Sequence, residues 1–315
     1  MTTVHDTAGR KPANIWIDAL GLLVRNTRAQ IGIAILVITL LVAIVGPMIT
    51  PYDFLAQNAA MARQGPSMAH WLGTDELGRD LLSRIMYGAR TAFLVAVVVT
   101  FVATFIGIVL GATAGFMGGR VDSILSWLAD VTMSVPGLLL VVVLNTSLRP
   151  PLTAWANDVY MSTRSPMFRD PTWINFLLVF GTLALISWPQ YYRIVRAQVQ
   201  SLASSGFVAA ANALGLKRGA IIRNHVVPNA LGPLIVAVSA GLGSAMVLES
   251  AFSFLGVGVG PSVPSWGNMI ADGLRSWRNY PHLLLVPAAV LALVTIAYSF
   301  LGDALNETLN PRGRK

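Results

Sequence analysis

Long apolar runs dominate the chain and are separated by short polar segments. A membrane span needs about 20 predominantly apolar residues. Six stretches meet this: Ile31–Ile49, Thr91–Ala114, Ile124–Leu144, Trp173–Ile194, Ala230–Leu248 and His282–Leu301. The runs are continuous rather than alternating. Inside a bilayer each segment must satisfy its own backbone polar groups, so the runs read as helices and not as barrel strands. The expected fold class is an all-α integral membrane protein with six transmembrane helices.

Basic residues orient these spans. With the N-terminus inside, the inner segments hold Arg10, Lys11, Arg25, Arg28, Arg120, Arg193, Arg196, Lys217, Arg218, Arg223, Arg312, Arg314 and Lys315, which is 13 of the 22 basic residues. The positive-inside rule favours that arrangement. The expected organisation is a cytoplasmic N-terminal segment 1–30, a first span 31–49, an extracytoplasmic loop 50–90, a transmembrane domain 91–305 with a cytoplasmic loop 201–229, and a basic cytoplasmic tail 306–315. Ile15, Trp16, Ile17, Leu20, Leu22, Leu23 and Val24 alternate with Asp18 and Arg25, predicting a short interfacial helix. The first apolar run is too long for a signal-peptide core and lacks a small-residue cleavage pattern, so it is expected to remain as an anchor.

Composition agrees. The chain has 315 residues, 55% hydrophobic and 11% charged, against about 25% charged in soluble domains. The net charge of +8 belongs to topology rather than to nucleic-acid binding, because its basic residues flank apolar spans. The absence of cysteine excludes disulfides and thiolate metal sites.

Inside the spans the polar content is sparse. Asp130, Glu249 and Asp303 are the acids in or at the end of predicted spans. One acid per span end, with no second acid or histidine nearby, makes a poor proton relay, so pairing with an arginine or a helix N-terminus is expected. Gly107, Gly111 and Gly115 recur at four-residue spacing, which lets two helix backbones approach closely in lipid. Trp188-Pro189-Gln190 places a proline in the fourth span, where it removes a helix hydrogen bond.

The outer segments read as loops. Asp75, Glu76 and Asp80 do not have the spacing of a calcium loop, and Arg79 and Arg84 supply counter-charges. Thr74 or Asp75 is expected to cap a helix over Leu77–Tyr87. The segment Leu148–Pro171 is expected to be irregular. Phe252–Pro281, with Gly256, Gly258, Gly260, Pro261, Pro264 and Trp266, reads as turn-rich and open to a soluble partner. The chain has no G-x-x-x-x-G-K-[ST] phosphate loop, no His-Glu-x-x-His and no Gly-x-Ser-x-Gly.

The most informative stretch is Phe207–Asn229. Five alanines between 203 and 213 favour a helix, Gly215 fits its C-terminal cap, and Lys217 to Val227 reads as a second short helix. Pro228 ends that helix or hands over to the fifth span. Small side chains at this place suit a rigid knob gripped by another protein.

These residues resemble the permease subunits of ATP-binding-cassette importers. The family's cytoplasmic signature is Glu-Ala-Ala, three residues, Gly, then nine residues and a hydrophobic-Pro pair. Here it reads Ala209-Ala210-Ala211-Asn212-Ala213-Leu214-Gly215, with His225, Pro228 and Asn229 following. Ala209 replaces the usual acid. The chain looks most like the second permease of the dipeptide/oligopeptide/nickel family over about Leu72 to Arg312. Leu72-Gly-Thr-Asp-Glu-Leu-Gly-Arg-Asp80, Gly115-Phe-Met-Gly-Gly-Arg-Val-Asp122, Trp188-Pro-Gln-Tyr-Tyr-Arg-Ile-Val-Arg196, Glu249-Ser-Ala-Phe-Ser-Phe-Leu-Gly256, Pro264-Ser-Trp-Gly267 and Gly302-Asp-Ala-Leu305 with Asn310-Pro311 carry the likeness. The Leu148–Pro171 loop looks longer than in that family.

The resemblance implies a type I importer permease in a bacterial inner membrane with both termini cytoplasmic. It implies a homologous second permease, two ATP-binding subunits and an external binding protein as partners. ATP and Mg would sit on the partner subunits, with no cofactor, metal or catalytic residue on this chain. Ala209, Ala210, Ala211, Asn212, Leu214, Gly215, Lys217 and Arg218 would form the ATPase-docking coupling helix, with His225, Pro228 and Asn229 shaping its loop. Pro264, Ser265 and Trp266 would contact the binding protein. The implied cargo is a dipeptide or oligopeptide. Nickel or another small solute, and an ion-coupled secondary transporter, are the alternatives.

Overall fold

The computed structural model describes residues 25–309 apart from 171, 217, 223, 225, 226 and 261. In chain order its helices are α1 (Thr27–Ile49), α2 (Leu81–Met117), α3 (Gly119–Ser134), α4 (Gly137–Thr163), α5 (Thr172–Ala203), α6 (Gly206–Ala213), α7 (Arg218–Ile221), α8 (Val227–Phe254), α9 (Trp266–Leu274) and α10 (His282–Leu309). Six candidate spans stand out among the described residues: α1, α2, α4, α5, Gly232–Phe254 of α8 and His282–Thr308 of α10. The interfacial helix expected before Arg25 lies outside the described residues.

The third span differs most from its expected place. The apolar run Ile124–Leu144 is divided at Val135-Pro136 into α3 and α4. A residue before proline is driven to extended backbone, and Val135 adopts φ −83°, ψ 124°. The candidate span is therefore Gly137–Thr163. It continues through Pro150 and Pro151 and stops where Arg164 turns left-handed at φ 54°. The segment expected to be an irregular loop is thus helical as far as Thr163. Hydropathy located the apolar material but not the break.

α2 is the longest element. At 1.5 Å per residue its 37 residues extend about 55 Å, well beyond a hydrocarbon core of about 30 Å. Its helix begins at Leu81, so the expected loop 50–90 ends earlier. Along its length α2 lies against α5. A Cβ added to Gly107 would come within 2.5 Å of Tyr191 Cβ, one on Gly111 within 2.7 Å of the Tyr192 carbonyl, and one on Gly115 within 2.8 Å of the Arg196 carbonyl. Lipid gives no hydrophobic drive between helices, so van der Waals contact at such close approaches holds them together.

The other spans close around this pair. Gly32 of α1 approaches the Ala297 carbonyl of α10, and Gly243 of α8 approaches Tyr298. Val195, Val199, Ala112 and Leu234 belong to one buried cluster, and Leu81, Ala92, Met246, Trp266 and Tyr298 to another.

Candidate functional site

At one end of the bundle the chain leaves α5, turns at Ser204 and Ser205 and forms α6. Val208 and Ile221 are buried in the cluster that joins α2, α5 and α8. They fix the segment to the bundle while Ala210, Leu214 and Leu216 remain exposed, Leu214 at 82%. Gly215 then turns with φ +74°, a left-handed conformation that glycine adopts without a Cβ penalty. The expected helix over Lys217–Val227 is shorter: α7 covers Arg218–Ile221, and α8 already begins at Val227 with Pro228 in its first turn. Lys217 and His225 lie outside the described residues. Ala209, Ala211 and Asn212 fall within α6, Arg218 opens α7, and Asn229 is in the first turn of α8.

Beside this segment a polar junction ties α3 to α5. Asp122 accepts from Arg196 through Nε and, at 2.6 Å, through Nη2, and from Gln200 at 3.3 Å. The Arg196 guanidinium holds the Asp122 carboxyl below its usual range. Arg193 donates to Asp130 at 2.7 Å, and the Ser126 and Tyr192 hydroxyls are 2.9 Å apart. Asp130 therefore lies in α3, outside the candidate spans, and pairs with an arginine.

At the opposite end, Asp75 accepts from Arg79 Nε at 2.6 Å and lies 3.5 Å from Arg84. The residue that caps α2 is Asp80, which accepts from Ser83 N at 2.7 Å. This corrects the expected cap at Thr74 or Asp75, because Asp75 is used within its own turn by Leu77 N and Arg79 N. Gly78, at φ +72°, makes the turn, where a Cβ would strike the Asn58 carbonyl. Burial pushes the Asp272 carboxyl up, opposed by the nearby Arg84 and Arg79 charges.

The segment Phe252–Pro281 contains α9 rather than turns alone. Pro264, Ser265 and Trp266 are buried, Trp266 completely, and its indole N–H donates to the Ile85 carbonyl at 3.2 Å. In this arrangement their side chains face the bundle rather than solvent. Ser265 instead caps α9 and, with Ser250 and Ser253, donates to buried Glu249. Serines, one of them at a helix N-terminus, take the place of an arginine here.

Two cavities border α8. A cleft of about 560 Å³ between α8 and α10 is lined by Ala240, Gly243, Ser244, Thr295, Ser299 and Asp303, among others. A smaller cavity of about 130 Å³ reaches Thr100, Ser187, Gln190 and Tyr191 and shares Ser244 and Leu248 with the cleft. Most of these residues were not singled out from the sequence. Their signal was available in small and polar side chains recurring at three- and four-residue steps along both helices, as at Ala240, Gly243 and Ser244 and at Thr295, Ser299 and Asp303. Among the described residues no group of three or more His, Cys, Asp or Glu is placed to hold a metal ion.

Comparison with known proteins bears on this geometry. Residues 107–315 match the family described as binding-protein-dependent transport system inner membrane component. Residues 14–66 match the N-terminal TM domain of oligopeptide transport permease C. The chain is 33% identical over 306 residues to the oligopeptide transport system permease protein OppC of Bacillus subtilis (strain 168), covering 97% of this chain and 92% of that one. It is 35% identical over 303 residues to OppC of Escherichia coli (strain K12), with 96% and 92% covered. It is 33% identical over 297 residues to the dipeptide transport system permease protein DppC of Alkalihalophilus pseudofirmus, with 94% and 90% covered. Among solved structures it is similar to the MetNI methionine ABC transporter in inward facing conformations, at 18% identity and a TM-score of 0.46, covering 69% of this chain and 94% of that one. On the family match and these identities, the chain belongs to the binding-protein-dependent transport system inner membrane components, in the group of the oligopeptide and dipeptide permeases.

Proposed function

We propose that the chain is the transmembrane permease subunit of an ATP-driven importer of dipeptides or oligopeptides. The observation that carries this reading is 33% identity to an oligopeptide permease over 97% of the chain. In this reading it pairs with a homologous permease, and the cleft between α8 and α10 faces the pathway. Two ATP-binding subunits hold ATP and Mg, and an external binding protein delivers the peptide. The excess of basic residues on one side supports cytoplasmic termini in a bacterial inner membrane.

The segment Gly206–Leu216 is the coupling element. Ala210, Leu214 and Gly215 meet an ATPase cleft, with Ala209, Ala211, Asn212, Lys217 and Arg218 beside them and His225, Pro228 and Asn229 leading into α8. Docking rests on shape, since Ala209 carries no carboxylate. Its anchors, Val208 and Ile221, and the α3–α5 junction support rigid transmission into the spans. ATP binding then biases the bundle between two arrangements, which opens the pathway alternately to each side.

The test is uptake in proteoliposomes holding the whole complex. Labelled peptide should accumulate only with ATP, ATPase subunits and binding protein present. Accumulation without ATPase subunits would establish the ion-coupled alternative. Accumulation of nickel ion but no peptide would place the cargo elsewhere in the family.

A further inference from the structure

A cleft of about 290 Å³ opens where α1 ends and α2 begins. Ile49 and Pro51 form one side, Met68 and Trp71 of the following loop another, and Leu82 and Met86 of α2 the floor. The one carboxylate at its edge, Asp80, is already engaged by His70, by Ser83 N and by the Ser83 hydroxyl. None of the buried unpaired polar atoms among the described residues belongs to its lining. The Thr50 and Tyr52 hydroxyls and the Trp71 indole are its uncharged polar groups; the cleft offers no free charge, and its mainly apolar lining suits hydrocarbon rather than a charged headgroup.

Its position indicates the source. The 23 residues of α1 extend about 34 Å, close to one hydrocarbon thickness of about 30 Å, so Ile49 ends at the rim of the bilayer. Leu41, Ile44, Val45 and Met48 are all exposed and apolar, at positions i, i+3, i+4 and i+7 of the same helix. They make one continuous face that leads directly to Ile49 and the cleft mouth. Trp71, 70% exposed, and Met68, 94% exposed, stand on the far side. Tryptophan is enriched at this depth of a membrane. Hydrocarbon that wets the face of α1 reaches the cleft mouth at Ile49 without crossing a charged group.

We propose that this cleft binds an acyl chain of a membrane phospholipid and anchors the loop Pro51–Asp80 to the bilayer. The test uses the full chain assembled with its partner subunits in phosphatidylcholine vesicles that carry a photoactivatable diazirine on the acyl chain. After illumination, lipid adducts mapped by mass spectrometry are expected on Met68, Trp71 or Met86 as well as on Ile44 and Met48. In Ala69→Trp, where an added ring fills the cleft, the adducts at Met68 and Met86 should fall several-fold while those at Ile44 and Met48 persist. The persisting adducts report that the variant is inserted and folded. Adducts confined to α1, as expected if a protein subunit covers the cleft, would overturn the proposal. So would cleft adducts that Ala69→Trp leaves unchanged.

Discussion

The Ser265 hydroxyl donates to Glu249 at 2.8 Å, so the residue that caps α9 also holds a carboxylate buried inside α8. Ser253 donates to the same oxygen at 2.6 Å. One residue further on, Trp266 fills the space beside Gly88 of α2 and bonds the Ile85 carbonyl. The outer segment is thereby latched to two spans. Removing the shared acceptor leaves buried hydroxyls unpaired, at a cost of about 1–3 kcal/mol. Glu249→Ala should accordingly lower the thermal midpoint in detergent, and Glu249→Gln, which keeps an acceptor, should lower it less. An unchanged midpoint in Glu249→Ala would remove the latch. Trp266→Ala should be the more severe change, about 3–5 kcal/mol, because it empties a fully packed site.

The glycine seam between α2 and α5 makes a prediction with an internal control. Gly107→Val or Gly111→Val places atoms where the α5 backbone lies under 3 Å away, and overpacking of that kind costs about 1–3 kcal/mol. Gly181 lies inside α5 with nothing within 4 Å of a built Cβ. Gly181→Ala should be neutral, or stabilising by up to about 1 kcal/mol through helix propensity. Thermal denaturation of the three variants side by side checks the contrast.

The Asp122–Arg196 pair predicts a pH dependence. The folded Asp122 carboxyl is held below its usual range by Arg196, so on acidification the unfolded chain takes up its proton first. The contribution is fully present above the ordinary carboxylate range and is lost as pH falls through the lower folded value. Both side chains keep partial solvent contact, which limits the effect to about 1 kcal/mol. The stability difference between the natural chain and Asp122→Asn should be constant near neutrality and vanish in acid. A difference that grows on acidification would contradict the assignment.

For the exposed segment, Gly215→Pro forces φ to about −65° at a residue that needs +74°. Leu214→Asp changes only an exposed side chain. Both proteins should insert and assemble, and both should lose most ATP-dependent peptide uptake and peptide-stimulated ATP hydrolysis. Ala210→Glu should behave likewise, since a charge entering a tight groove loses its hydration. Normal transport in all three would remove the docking role.

The number of spans was legible in the sequence because the bilayer drives a continuous, predominantly apolar run of some twenty residues to form helix. The glycine spacing at 107, 111 and 115 and the turn at Gly215 were legible for the same kind of reason. Each is a local demand of the backbone on residue type. The tertiary structure decided matters that depend on neighbours distant in sequence. It divided the apolar run at Val135-Pro136, carried helix through Pro150 and Pro151, and moved the cap of α2 to Asp80. It buried Trp266 of the turn-rich outer segment, because its pocket is made by α2, some 180 residues earlier. Of the two partners expected for Glu249, an arginine or a helix N-terminus, it supplied Ser265 at the N-terminus of α9, with Ser250 and Ser253 beside it. Which groups meet across a bundle depends on how helices pack, and no single segment contains that information.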